Sequence, residues 1–308
     1  MTSQNNEIPN EVLLQVKNLD GLRKSFRENP LNLDENGSAK RDKAGSKNEP
    51  MTEMYKTSKT ESKGGQKKQY VVNFLSELLG TTLLMFLGCM GCITQVDNPP
   101  AVHHMSSLAF GLVILLIIQI FGHISGAHLN PAVTISTVIF KMLTPLMGLV
   151  YIVAQFLGAL LGFALLRVLM PQDYVVSGFC ATKPHALITP MQGLAIETII
   201  TCVLILVCCG VWDKRNAEKQ DSTPARFGFI VAAISMVAGP LTGASMNTAR
   251  SFPPAFFDRD YSAHWIYWVG PNVGAILGCG LYSYLFAEEE EPEEYDGTQL
   301  EEMITEKA

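Results

Sequence analysis

Four stretches of the chain, residues 98–140, 142–166, 227–249 and 261–287, contain no Asp, Glu, Lys or Arg, and each exceeds the ~18 apolar residues that mark a membrane-spanning helix. The pattern of apolar runs and polar breaks predicts six spans, at about 71–95, 105–125, 147–168, 191–212, 227–243 and 264–286. Two further apolar pieces, Asn130 to Phe140 and Asn247 to Phe257, are too short to cross a bilayer alone. The first of them opens with Asn130-Pro131-Ala132. That is a helix start, because Asn caps and Pro takes the first position, where no N–H is needed. The predicted fold class is an all-α membrane protein.

Charge is segregated along the 308 residues, of which only 17% are charged, against roughly 25% in a soluble domain. Residues 1–68 hold 13 Lys and Arg against ten Asp and Glu, whereas 288–308 hold one Lys against ten acids. The acidic balance therefore describes a tail and is silent on what the core binds. The expected organisation is a disordered tail over 1–69, a membrane domain over 70–287 with halves at 70–170 and 190–287, and an acidic tail over 288–308. No apolar stretch of signal-peptide type precedes Tyr70, so insertion is expected to rely on the first internal span. Lys63, Lys67 and Lys68 precede that span, and Lys214, Arg215, Lys219 and Arg226 follow the fourth. The positive-inside rule puts these segments in the cytoplasm, and six spans then put both termini there.

The chain repeats itself. Residues 150–162 align with 266–278 at an offset of 116, with six of 13 positions identical. Residues 122–132 align with 239–249 at an offset of 117, with five of 11 identical. Three spans per half make the repeat inverted, and such repeats place their site near the bilayer midplane at broken helices. Two short helices entering from opposite faces would aim their N-termini at each other, with asparagine amides as donors and paired positive dipole ends that disfavour cations. Glu77 and Glu197 occupy equivalent places in spans 1 and 4. A proton relay is one reading; the preferred one has each carboxylate accept backbone N–H groups of a re-entrant loop. Arg250 is the one charge in its apolar stretch, which points to a polar path rather than to lipid.

Of the seven cysteines, all but Cys180 fall in or beside apolar segments, and Cys89 and Cys92 form a Cys-x-x-Cys on span 1. These two are expected to be small packing residues, with no disulfide framework. No nucleophile and base pair of enzymatic type stands out, and no enzyme activity, metal or cofactor is expected.

Ser125-Gly-Ala-His-Leu-Asn130-Pro-Ala-Val-Thr134, Asn247-Thr-Ala-Arg250-Ser-Phe252 and His264-Trp-Ile-Tyr-Trp-Val-Gly-Pro271 resemble three signatures of the aquaporin family, over roughly residues 70–286. The resemblance implies a six-helix channel with two re-entrant half-helices beginning at Pro131, Ala132 and at Thr248, Ala249, a homotetramer in the bilayer of the plasma membrane, and passive transport without cofactor or nucleic-acid partner. It implies that Asn130 and Asn247 donate to the permeating molecule, and that Phe110, Ser235, Ala244 and Arg250 form the outer constriction. Three positions depart from the family's pattern. Ser235 stands where water-selective members have histidine, which widens the opening toward glycerol and urea and is similar to the insect entomoglyceroporins. Ser251 stands where glycerol facilitators have Asp. Thr248 replaces proline, and its hydroxyl could compete for local N–H groups. The expected function is a channel for water, glycerol and urea; the alternatives are a strict water channel and a poorly conducting adhesion or signalling relative.

Overall fold

The computed structural model describes residues 63–93 and 102–286; of the tail expected over 1–69 it describes 63–69, which are helical, while 1–62, the tail expected over 288–308 and the polar turn after the first span lie outside the described residues. Among the described residues there are six long helices: α1 (Lys63–Met90), α2 (Val102–Ser125), α4 (Pro145–Leu169), α5 (Pro190–Trp212), α6 (Thr223–Thr242) and α8 (Ile266–Leu285). Two short ones, α3 (Pro131–Ile139) and α7 (Thr248–Asp258), follow α2 and α6. No strand occurs among the described residues. The first five long helices are each apolar and long enough to cross a membrane. In α8, Pro271, Asn272 and four glycines dilute the apolar content, although it packs as the partner of α5.

The boundaries fall close to the sequence pattern, and the differences have local causes. α1 begins at Lys63 rather than near 71, because Gln66, Lys67 and Lys68 are good helix formers and extend the helix past the apolar segment. α4 and α5 are preceded by Thr144 and Thr189, each an extended N-cap followed by proline, and Thr189 with Gln192 forms a capping box. Leucine, valine and isoleucine cover the outer faces of the bundle, including Leu149, Leu157, Leu161, Ile276, Leu277 and Leu281. Polar side chains such as Glu77, Gln155, Glu197 and Thr201 are wholly buried within it. Helices that satisfy their own backbones and turn apolar faces outward suit lipid.

The internal repeat governs the packing. α1 lies along α4 and α5 along α8, while α2 pairs with α6 across the two halves. The close approaches occur at glycines. A Cβ on Gly158 would run into the Leu78 carbonyl of α1, and one on Gly274 into the Thr198 carbonyl of α5. Leu78 and Thr198 stand one residue after Glu77 and Glu197, so the two contacts are repeat equivalents. The half-helices are exchanged between halves. α3 packs against α8, and α7 against α4. Ala132 sits in a cluster with Ile205 and Cys279, and Ala249 in one with Met85 and Phe163.

This packing predicts opposite effects for two glycine substitutions. Gly158→Ala should lower the melting temperature in detergent, since overpacking costs about 1–3 kcal/mol and exceeds the ~1 kcal/mol gained in helix propensity. Gly280→Ala, which meets nothing within 4 Å, should be neutral or stabilising. Equal melting temperatures for the two variants would contradict the packing.

Candidate functional site

The loops that lead into the half-helices share one backbone path. Gly126, Ala127 and Leu129 have φ of 82°, 46° and 54°, and Gly243, Ala244 and Met246, each 117 positions later, have 82°, 44° and 51°. Left-handed conformations at alanine, leucine and methionine are costly and persist only where surrounding structure fixes them. Glu77 supplies that restraint in the first half, accepting from the Ser125 hydroxyl at 2.7 Å and from the N–H groups of His128 and Leu129 at 2.9 and 2.8 Å. Glu197 does the same in the second, accepting from the Thr242 hydroxyl at 2.7 Å and from the N–H groups of Ser245 and Met246 at 2.9 Å each. Two tyrosines complete the frame: Tyr151 donates to the Ser125 carbonyl at 2.9 Å and Tyr267 to the Thr242 carbonyl at 2.7 Å. The halves differ at one point, where Gln155 adds an amide donor to Glu77 at 2.9 Å and its repeat equivalent, Pro271, has none to give. With their oxygens occupied by loop donors, the carboxylates have the geometry of loop supports rather than of a proton relay.

The loops bring the two N-caps together. Asn130 and Asn247 are both extended, with φ of −155° and −151°. Asn130 donates from Nδ2 to the Met246 carbonyl at 2.8 Å, and Asn247 from Nδ2 to the Leu129 carbonyl at 2.8 Å. Each amide therefore braces the opposite loop and retains a second N–H. Their acceptor oxygens differ: Asn130 Oδ1 takes the Ala132 N–H at 2.9 Å, while Asn247 Oδ1 takes the Arg250 N–H at 3.1 Å. Thr248 does not compete for these donors. Its hydroxyl donates to the Tyr267 carbonyl at 2.9 Å, which leaves Asn247 in the cap position that the proline-bearing loop also gives to Asn130.

A cavity of about 710 Å³ passes both asparagines. Trp212, Asp221 and Pro224 line it toward one end and Cys92, Ser106 and Cys180 toward the other, and Phe110, Ser235, Ala244 and Arg250 all border it. The Arg250 guanidinium lies 5.0 Å from the Phe110 ring centroid, within range of a cation–π contact. Its Nη1 donates to the Cys180 carbonyl at 2.7 Å. Pro131, Ala132, Thr248 and Ala249 are buried at the half-helix starts and do not border the cavity. Ser251 is also buried, tied to the Thr182 hydroxyl at 2.7 Å and to Ser245 at 2.5 Å.

The expectation for the cysteines is corrected. Cys89 is bonded to Cys180, 91 residues away, with Cα atoms 5.5 Å apart. Cys92 stays a free thiol with its sulfur 3.9 Å from that of Cys180. An apolar Cys-x-x-Cys flanked by Leu and Met reads as packing, but Cys180 arrives from a loop without periodicity, so no local pattern announces the pairing. Gln155 was also not singled out, whereas Tyr151 and Tyr267 lie inside the aligned segments.

An inverted repeat of three helices and a half-helix, closed around an axial cavity with two facing asparagine caps, defines a membrane pore architecture. The major intrinsic protein family model matches residues 65–282. Mouse aquaporin-4 is 40% identical over 214 residues, which cover 68% of this chain and 66% of that protein, and human aquaporin-2 is 37% identical over 211 residues, covering 68% and 77%. The solved aquaglyceroporin of Plasmodium falciparum superposes with a TM-score of 0.64 at 26% identity, covering 71% of this chain and 97% of that one. The chain belongs to the major intrinsic protein family, and it spans about two thirds of the length of mouse aquaporin-4.

Because Glu77 satisfies four donors and Glu197 three, Glu77→Ala should destabilise more than Glu197→Ala, each orphaned buried donor costing about 1–3 kcal/mol. Melting curves of the purified variants in detergent measure this. Unchanged melting in both would contradict the support role.

Proposed function

We propose that the chain is a passive channel for water and small uncharged solutes, glycerol and urea among them, in the plasma membrane. Asn130 and Asn247 offer their second amide N–H to the oxygen of the permeating molecule. The two half-helix N-termini beside them place positive dipole ends at the centre, where a cation is disfavoured. Arg250 adds a full positive charge at the outer constriction. Phe110 forms the opposing apolar wall, and Ala244 and Ser235 leave the remaining sides short.

The observation that carries the solute range is Ser235. It borders the cavity with Arg250, Phe110 and Ala244, and contributes one hydroxyl where a histidine ring would fill the gap. A glycerol carbon backbone then has Phe110 to lie against, and its hydroxyls have the guanidinium and the serine. This is the pattern expected of an entomoglyceroporin-like channel. A strictly water-selective channel is the second reading, favoured by the similarity to aquaporin-4 and by Ser251, whose hydroxyl closes a small polar network where glycerol facilitators carry Asp. The adhesion reading loses support from Thr248, because the substitution leaves the Asn247 cap intact. A homotetramer, with the leucine-rich outer faces of the protomers divided between lipid and neighbouring copies, remains part of the proposal.

Osmotic swelling of vesicles containing the full chain tests the reading. Water, glycerol and urea should all enter faster than in protein-free vesicles, and Ser235→His should reduce glycerol entry more than water entry. Swelling in water alone would replace the proposal with the water-selective reading, and equal losses in the variant would remove Ser235 from the constriction.

A further inference from the structure

Three sulfurs meet at the outer end of the cavity, and one of them belongs to the residue that holds the arginine. Cys180 has φ of 56°, a left-handed conformation that a cysteine adopts only under restraint. Its sulfur is bonded to Cys89 at the end of α1. Its carbonyl accepts from Arg250 Nη1 at 2.7 Å, and its sulfur lies 3.4 Å from Nη2. The position of the guanidinium is thus referred to α1 through a covalent bond. The free Cys92 sulfur stands 3.9 Å from the Cys180 sulfur, and both residues border the cavity, so a small molecule in the outer mouth can reach them.

We propose that Cys89, Cys92 and Cys180 form a thiol–disulfide exchange site at the outer constriction, and that the bonding state of the Cys180 sulfur sets where Arg250 is held. This rests on the channel reading for its effect on flux. Exchange needs no outside oxidant. The Cys92 thiol loses its proton, its sulfur attacks the Cys180 sulfur, the Cys92–Cys180 bond forms as the Cys89–Cys180 bond breaks, and the departing Cys89 thiolate takes up the proton. The tether then moves three residues along, beyond the end of α1 at Met90. Small thiols in the outer medium open the same site: two thiol molecules are oxidised to their disulfide while Cys89 and Cys180 are reduced to thiols. The loop is not lost when the bond opens. Thr182 remains bonded to Ser251 at 2.7 Å, and the Gly178 N–H to Asp258 at 2.6 Å. The freedom gained is local to Cys180, and it releases the carbonyl that faces Arg250. The guanidinium then turns toward the opening, where it obstructs glycerol more than water. A disulfide persists at an oxidising face, which agrees with the basic segments Lys67, Lys68 and Lys214 to Arg226 marking the opposite, cytoplasmic one.

The test uses the full chain in vesicles, with and without dithiothreitol, followed by alkylation with N-ethylmaleimide, peptide mapping with fragment spectra, and water and glycerol flux on the same preparation. The wild type should show Cys89–Cys180 bonded and Cys92 alkylated, and a trace of thiol should distribute the crosslink between Cys89–Cys180 and Cys92–Cys180. In Cys89→Ser, Cys180 should be recovered bonded to Cys92. Full reduction should lower the glycerol-to-water permeability ratio. Cys180 alkylated in Cys89→Ser, together with no Cys92–Cys180 linkage in the wild type, would overturn the exchange site. An unchanged ratio in vesicles whose Cys180 is shown to be reduced would overturn the link to Arg250. Vesicles that pass neither molecule in either state would instead refute the channel reading, which the peptide map, being independent of flux, distinguishes.

Discussion

Two carboxylates buried among apolar helices hold the pore in shape. Glu77 and Glu197 are both wholly inaccessible to solvent, and each gathers a hydroxyl and two consecutive loop N–H groups. Without them, the left-handed residues at 127, 129, 244 and 246 would have no reason to keep conformations that their side chains resist. Those conformations in turn decide where the asparagine caps point. A backbone loop within the depth of a membrane is tolerated only where protein or water satisfies it, and here the satisfaction comes from one acid per half.

The half-helices extend this constraint across the molecule. Each packs on helices of the other half, and each asparagine donates to the carbonyl of the opposite loop. The two loops therefore fix one another. Arg250 is placed by three unrelated devices at once: the helix start at Asn247, the Phe110 face, and the Cys180 carbonyl tethered to α1. The first two arise from the repeat and from α2. The third comes from a loop that breaks the repeat, which makes it the element free to differ without disturbing the frame.

Much of this was legible in the sequence because a membrane imposes long periods on it. Charge-free stretches marked α2, α4, α6 and α8, apolar runs interrupted by a single buried acid marked α1 and α5, and the offsets of 116 and 117 gave the equivalence of loops, glycines and tyrosines. The matched positions of Glu77 and Glu197 pointed to the two re-entrant loops whose N–H groups their oxygens accept. What the sequence did not disclose lies where geometry is set by chain segments far apart. The bond between Cys89 and Cys180 spans 91 residues, and a cysteine beside Leu and Met looks like packing until the loop that meets it is placed. The fate of the Thr248 hydroxyl was equally open, since its acceptor, the Tyr267 carbonyl, is on α8.

The central claim is that a continuous polar path runs past Asn130 and Asn247 between two otherwise apolar halves. The temperature dependence of osmotic water flow in vesicles tests it most directly. Flow along such a path exchanges hydrogen bonds with the two amides without dissolving water in lipid, so the activation energy should fall well below that of protein-free vesicles. An activation energy equal to that of the bare bilayer would contradict the account.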